Sequence, residues 1–337
     1  MNVDVKHAAL VCVFGVLLMG LGNALHADTL PDASYNLTGE KMFPEGMAYD
    51  PQTKSLFVGS FYKGEIQRIK AGTVSGFIPA GQDGLHSVVG MAINDAKRLL
   101  WVCNSEAGAS QYATPATTGK ASVHVYDIDK KILVKKIMFD EKAGHFCNDI
   151  ILDKRGNAYI TDSFSPTIWK VDAAHYTLQA WATDTRFSGE GFNLNGIQLT
   201  SNGKYLIVDK TNSGQLFRLT VANQSIQEVK LSRPIEGGDG MFFSSANKLL
   251  VVEGFGAKKP GIAKLIFSNS YTEATVVKEI ESPKLNTPTA VRVIDGEIYV
   301  VNSQFNHLFK GNEYGPAQAP FNIVRFNVGA LKKQGVK

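Results

Sequence analysis

One short pattern recurs along the chain and constrains its fold more than any other feature. It consists of a leading residue, usually a glycine after it, an apolar strand, a turn, and a second apolar strand closing on a polar residue. The copies are PEGMAYDPQTKSLFVGS, VVGMAINDAKRLLWVCNS, CNDIILDKRGNAYITDS, LNGIQLTSNGKYLIVDK, GDGMFFSSANKLLVVEG and, without the glycine, PTAVRVIDGEIYVVNS. Their leading residues, Glu45, Val89, Asn148, Asn195, Asp239 and Thr289, stand 44 to 59 residues apart, in the range of propeller blades. Each copy reads as two strands about a tight turn, such as Asp50-Pro51 or Asn94-Asp95, followed by one or two alternating strands such as VHVYDI and TIWKVD. No stretch sustains helical periodicity. One such sheet cannot bury both of its faces, so six stacked around an axis account for 337 residues without a linker or a break in composition. The expected fold is therefore all-β: a six-bladed β-propeller, residues 28–337 forming a single domain. The last copy is short of a strand, and residues around Tyr35 to Thr38 are placed to supply it, joining the two ends of the chain.

Residues 8–21 form an apolar run of fourteen, the size of a signal-peptide core and short of the roughly twenty needed to span a bilayer. Lys6 precedes it, and Gly22, Ala24 and Ala27 offer cleavage points, so residues 1–27 read as a signal peptide. The mature chain is then secreted or periplasmic, not membrane-bound after cleavage, and monomeric. With 35 basic and 31 acidic residues spread along the chain, the charge of +4 leaves no footprint for a nucleic-acid partner. Three cysteines cannot build a disulfide framework. After removal of Cys12, only Cys103 and Cys147 remain, and whether they pair is left open.

In antiparallel meanders the first strand begins on the rim to which the second returns. The leading column brings Glu45, Asn148, Asn195 and Asp239 to that rim. The closing column, Ser60, Asn104, Asp162, Asp209, Glu253 and Asn302, is polar in every copy. Crowded carboxylates around a narrow axis repel one another and lose solvation, and a cation relieves both costs. Carboxylate and amide oxygens without a Cys or His cluster select a hard ion, and the looser shell of calcium suits them better than the strict octahedron of magnesium. Glu45, Asn148, Asn195 and Asp239 are the expected ligands. The closing column is expected to hydrogen-bond between blades, with Asp162, Asp209 and Glu253 as outer partners of the site.

The motifs Phe43-Pro44-Glu45-Gly46-Met47, Asn148-Asp149-Ile150, Asn195-Gly196-Ile197 and Asp239-Gly240-Met241, in this order, resemble the six-bladed propellers of the senescence marker protein (regucalcin)/gluconolactonase family. Paraoxonases and strictosidine synthase are more distant relatives. The resemblance covers roughly residues 43–328. It implies that Glu45, Asn195 and Asp239 hold a catalytic divalent ion and that Asn148 contacts substrate or metal. One departure stands out: sugar-acid lactonases of the family carry an arginine two residues before that asparagine, and this chain has Phe146. Aromatics also follow the closing column at Phe61, Phe164, Phe255 and Phe305. A pocket lined by Phe146, Phe164 and Phe255 without a basic clamp favours an apolar ester or lactone over a polyhydroxy acid.

The expected activity is calcium-dependent hydrolysis of a small ester or lactone, the ion polarising the carbonyl as water adds. Asp239 is the candidate base, with His86 and His145 as alternatives because each precedes a first strand and has a pKa suited to proton transfer. No Gly-x-Ser-x-Gly elbow occurs, which disfavours a serine hydrolase. Two other readings stay open: a non-catalytic propeller stiffened by calcium, and lyase or condensing chemistry of the strictosidine-synthase type. The long connections at residues 106–120 and 310–320 emerge on the same rim, where they would cover a pocket.

Overall fold

The computed structural model describes residues 34–140 and 144–327. The expected signal peptide lies outside them. Among the described residues no helix is long and apolar enough to cross a membrane.

The repeat folds as antiparallel four-stranded meanders. Residues 44–78, 87–138 and 147–183 form three separate four-stranded sheets, and a fourth combines 288–302 and 322–327 with Ser34–Asn36. The remaining sheet has eight strands. It consists of two antiparallel four-stranded runs, 194–231 and 238–281, joined only by a parallel pairing of Lys230 and Leu231 with Glu273 and Ala274. The N-terminal strand Ser34–Asn36 pairs antiparallel with Asn322–Asn327, so the two ends of the described chain share one sheet.

The first strands, Pro44–Asp50, Ser87–Asn94, Cys147–Leu152, Leu194–Leu199, Gly238–Ser245 and Pro288–Ile294, pack each on the next, and the last packs on the first. The result is an all-β, propeller-like ring around a central channel. Apolar side chains fill the wedges between neighbouring runs. Phe57 and Ile66 meet Leu100 and Val102, and Tyr159 and Ile168 meet Leu206 and Phe217. This stacking explains the sequence pattern. The second strands Ser55–Ser60 and Leu99–Ser105, sandwiched on both faces, are buried at every position and read as unbroken apolar runs. Outer strands such as Ile132–Met138 are largely exposed.

Two features depart from expectation or settle what the sequence left open. The 310–320 connection is not a plain loop: it follows α1 (Phe305–Phe309) and contains α2 (Gly311–Tyr314), each too short to leave a helical period in the sequence. Cys103 and Cys147 form a disulfide, with Cα atoms 5.2 Å apart, that ties the second run to the third.

Candidate functional site

Every first strand carries the same irregularity. Pairing skips from Pro44–Ser60 to Met47–Val58, so Glu45 and Gly46 together oppose Gly59. Equivalent two-against-one steps lie at Val89-Gly90, Asn148-Asp149, Asn195-Gly196, Asp239-Gly240 and Thr289-Ala290. A β-bulge bends its strand and re-aims the extra side chain. Here the six bulges turn the leading column into a ring. The glycine that follows permits the close approach: a Cβ on Gly46 would lie 2.0 Å from the Val89 carbonyl oxygen, and one on Gly196 2.4 Å from that of Asp239.

Glu45, Asn148, Asn195 and Asp239, all buried, line two cavities that meet at these four residues. One is apolar and lined by Phe61, Phe146, Phe192, Phe255, Phe305 and Phe309 together with Thr211. The other is lined by Asp149 and Arg292 as well. Asp149 occupies a glycine position of the repeat. Its carboxylate accepts the Ile150 N–H at 2.8 Å and the Ile197 N–H of the next run at 3.1 Å. Arg292 is stacked over Phe242 and donates to the Val291 carbonyl.

The electrostatics are unbalanced. Burial, then repulsion from Asp239 and Asp149, holds the Glu45 carboxyl well above the usual carboxylate range. Burial likewise raises Asp239, reinforced by Asp149 and opposed by the Gly240 N–H and the Asn195 side chain. Burial raises Asp149 against the pull of Arg292, whose own guanidinium is pushed down by burial. Asp209 adds a fourth buried acid, raised well above its ordinary value by burial and by Asp239. Four buried carboxyl groups thus crowd the ring, and Arg292 offsets Asp149 among them.

The donor chemistry fits a hard divalent cation. Asn148 Nδ2 donates to Ser163 Oγ at 2.8 Å and Asn195 Nδ2 to Thr211 Oγ1 at 3.1 Å, so both amides leave their oxygens free. Asn195 Oδ1 is buried and accepts no hydrogen bond. Such orphaned acceptors beside repelling carboxylates are costly unless a cation joins them. No cluster of three or more His, Cys, Asp or Glu side chains suited to a metal occurs among the described residues. The four-residue ring draws half its oxygens from amides.

The other expected residues lie elsewhere or differ in detail. Phe146 and Phe255 line the apolar cavity, whereas Phe164 does not. It is 40% exposed, its ring 5.3 Å from those of Phe146 and Phe192. Neither histidine lines a cavity at the ring. His86 faces Glu106 at 3.5 Å and Tyr112. His145 is enclosed by Phe139 and Trp169, its Nδ1 2.6 Å from Asp162 Oδ2. Each ring sits beside an acid and outside both cavities.

Asp162 also accepts the Phe146 and Phe164 N–H groups and the Trp169 indole, and Glu253 takes a two-pronged contact from Arg233. These two acids brace the strands. The closing column needs one correction: Leu194 pairs with Lys210, so Lys210 stands there and Asp209 opposes the Asn195-Gly196 bulge. Lys210 Nζ donates to the Arg186 and Ser188 carbonyls, while the Asp209 carboxyl is buried beside the Gly196 backbone. Sequence reasoning missed Asp149, Arg292, Phe192, Phe309 and Thr211 as site residues. Of these only Asp149 left a signal, as an acid in a column of glycines.

The His145–Asp162 pair yields a pH prediction. Its hydrogen bond to Asp162 raises the His145 pKa, against burial. A raised histidine pKa gives stability that is full below about pH 6.5 and is lost as pH rises through the folded-state value. In Asp162→Asn, NMR titration should find the His145 midpoint lowered, with the stability deficit greatest below pH 6.5. An unmoved midpoint would show that Asp162 does not hold the charge.

No protein-family signature matches the chain, and no curated protein does. Solved structures do. The major Malassezia sympodialis allergen Mala s 1 superposes with a TM-score of 0.67 at 17% identity, over 89% of this chain and 97% of that one. A Xanthomonas campestris gluconolactonase gives 0.61 at 15% identity, over 90% and 92%. The calcium-binding protein regucalcin from Agrobacterium tumefaciens gives 0.61 at 13% identity, over 87% and 92%. At these identities the likeness is one of fold: the chain has the all-β propeller architecture on which a gluconolactonase and regucalcin are built.

Proposed function

We propose that the protein is an exported, six-bladed, metal-dependent hydrolase of small esters or lactones. The blade count takes the eight-stranded sheet as two blades, since only two residue pairs join its halves. Export is supported by the Cys103–Cys147 bridge, a feature of oxidising compartments. One observation carries the activity: two carboxylates and two amides with uncommitted oxygens meet where an apolar cavity ends. The fold shared with a gluconolactonase and a calcium-binding regucalcin supports the same reading.

Glu45, Asn148, Asn195 and Asp239 would hold the ion, calcium by donor type. Bound there, it supplies a Lewis acid that draws charge onto a carbonyl oxygen. The phenylalanines seat the apolar part of the substrate and exclude water from all but the reacting carbonyl. Asp239, whose Oδ1 accepts the Gly240 N–H at 3.0 Å, would take the proton of the attacking water. As the new C–O bond forms and the ester C–O bond breaks, that proton passes to the departing alkoxide. Among the described residues no cationic side chain lines the apolar cavity, and its aromatic wall favours an apolar ester or lactone over gluconolactone.

Hydrolysis of a panel of aryl esters and aliphatic lactones, with and without chelator, tests this reading. Turnover that chelator abolishes and calcium restores is the expected result. Calcium bound without turnover would leave a stiffened binding module instead.

A further inference from the structure

The position after the closing column carries a hydroxyl in several runs, and its bonds repeat. Ser105 Oγ donates to the Cys147 carbonyl at 3.0 Å, Ser163 Oγ to the Leu194 carbonyl at 2.6 Å, and Thr211 Oγ1 to the Gly238 carbonyl at 2.7 Å. In each case the acceptor is the residue just before the next run's bulge.

A carbonyl oxygen carries no hydrogen, so each hydroxyl proton is spent on the neighbouring run. What remains on Ser163 Oγ and Thr211 Oγ1 is acceptor capacity alone. Only the NH₂ end of an amide can approach such an oxygen favourably, and both Asn148 and Asn195 present that end. A reversed amide would set oxygen against oxygen. The orphaned, buried Oδ1 of Asn195 is the other side of this arrangement.

We propose that Ser163 and Thr211 are positioning residues: by holding the NH₂ groups of Asn148 and Asn195, they keep both amide oxygens available to a divalent cation and tie that orientation to the next run. The proposal rests on the cation reading of the four-residue ring. Ser105 supplies the control. It makes the same bond between runs, but the leading residue of its own run is Val89, so it holds no amide.

Calorimetric titration of calcium into the chelator-stripped full chain tests the assignment. Thr211→Val and Ser163→Ala should each bind calcium about 10- to 100-fold more weakly, the usual cost of losing a group that orients a ligand. Thr211→Ser, which keeps the hydroxyl, and Ser105→Ala should match the wild type. A purely structural hydroxyl column would make Ser105→Ala as harmful as the other two, and that result overturns the proposal. Unchanged affinity in both Thr211→Val and Ser163→Ala, with one ion bound by the wild type, overturns it while leaving the cation reading intact. A wild-type chain that binds no ion overturns both. Melting curves of the ion-free variants establish that each is folded, and Ser163→Ala carries the test alone should Thr211→Val not fold.

Discussion

Asp239→Asn should move two properties in opposite directions: the ion-free protein gains stability near neutral pH, and ion binding and turnover are lost. The gain follows from linkage. Glu45, Asp209 and Asp239 have folded-state pKa values well above their ordinary ones, first because of burial. Between about pH 4, where unfolded carboxylates ionise, and their folded values, the folded chain binds more protons than the unfolded one, so stability falls as pH rises. Chelated wild type should therefore melt at a lower temperature at pH 8 than at pH 5. An amide at position 239 removes one of the repelling acids and flattens that slope. A bound divalent ion reverses the same penalty, and at a hundred times its dissociation constant it adds about 2.7 kcal/mol. The variant should lose this calcium-induced rise in melting temperature. Turnover should drop on the order of 10³-fold, since a Lewis acid at a carbonyl contributes several kcal/mol and each 1.36 kcal/mol is tenfold. Scanning calorimetry of both proteins with chelator and with calcium reads both signs. An equal calcium-induced rise in the variant would remove Asp239 from the ligand set.

That Glu45, Asn148, Asn195 and Asp239 meet was legible in the sequence because a repeat with constant internal spacing puts its leading residues in one place. The bulges that aim them were not, since a two-against-one pairing leaves no mark beyond the glycine. Asp209 shows the limit most sharply. ITDS and IVDK look alike, yet the pairing of Leu194 with Lys210 shifts the fourth closing residue by one. In a strand, one residue is the difference between two faces. His86 and His145 were placed by nearness to first strands, but Glu106 and Asp162 hold their rings elsewhere, and contacts between connections are invisible to a repeat. Phe309 lies on a five-residue helix, too short for periodicity, and Arg292 acquires meaning only when the ring brings it to Asp149.

Replacing Cys103 and Cys147 together by alanine should cost about 4 kcal/mol, the loop entropy released when a cross-link spanning 44 residues is removed. For a chain of this size that corresponds to a fall of about 6 °C in melting temperature. Alanine is the appropriate probe because both sulfurs are fully buried, and serine would leave two hydroxyls in an apolar wedge. Wild type unfolded in reductant should match the variant, and a reductant-insensitive wild type that is no more stable than the variant would show that the bridge contributes nothing. The bridge also adjoins the site, Asn148 following Cys147 directly. Yet the same segment is held independently: Ser105 bonds the Cys147 carbonyl, Asp162 accepts the Phe146 N–H, and Ser163 holds the Asn148 amide. Calcium affinity should therefore fall far less in the double alanine variant than in Thr211→Val. The bridge constrains the unfolded chain, whereas the hydroxyl constrains the ligand, and the two variants separate these roles by which measurement each one moves.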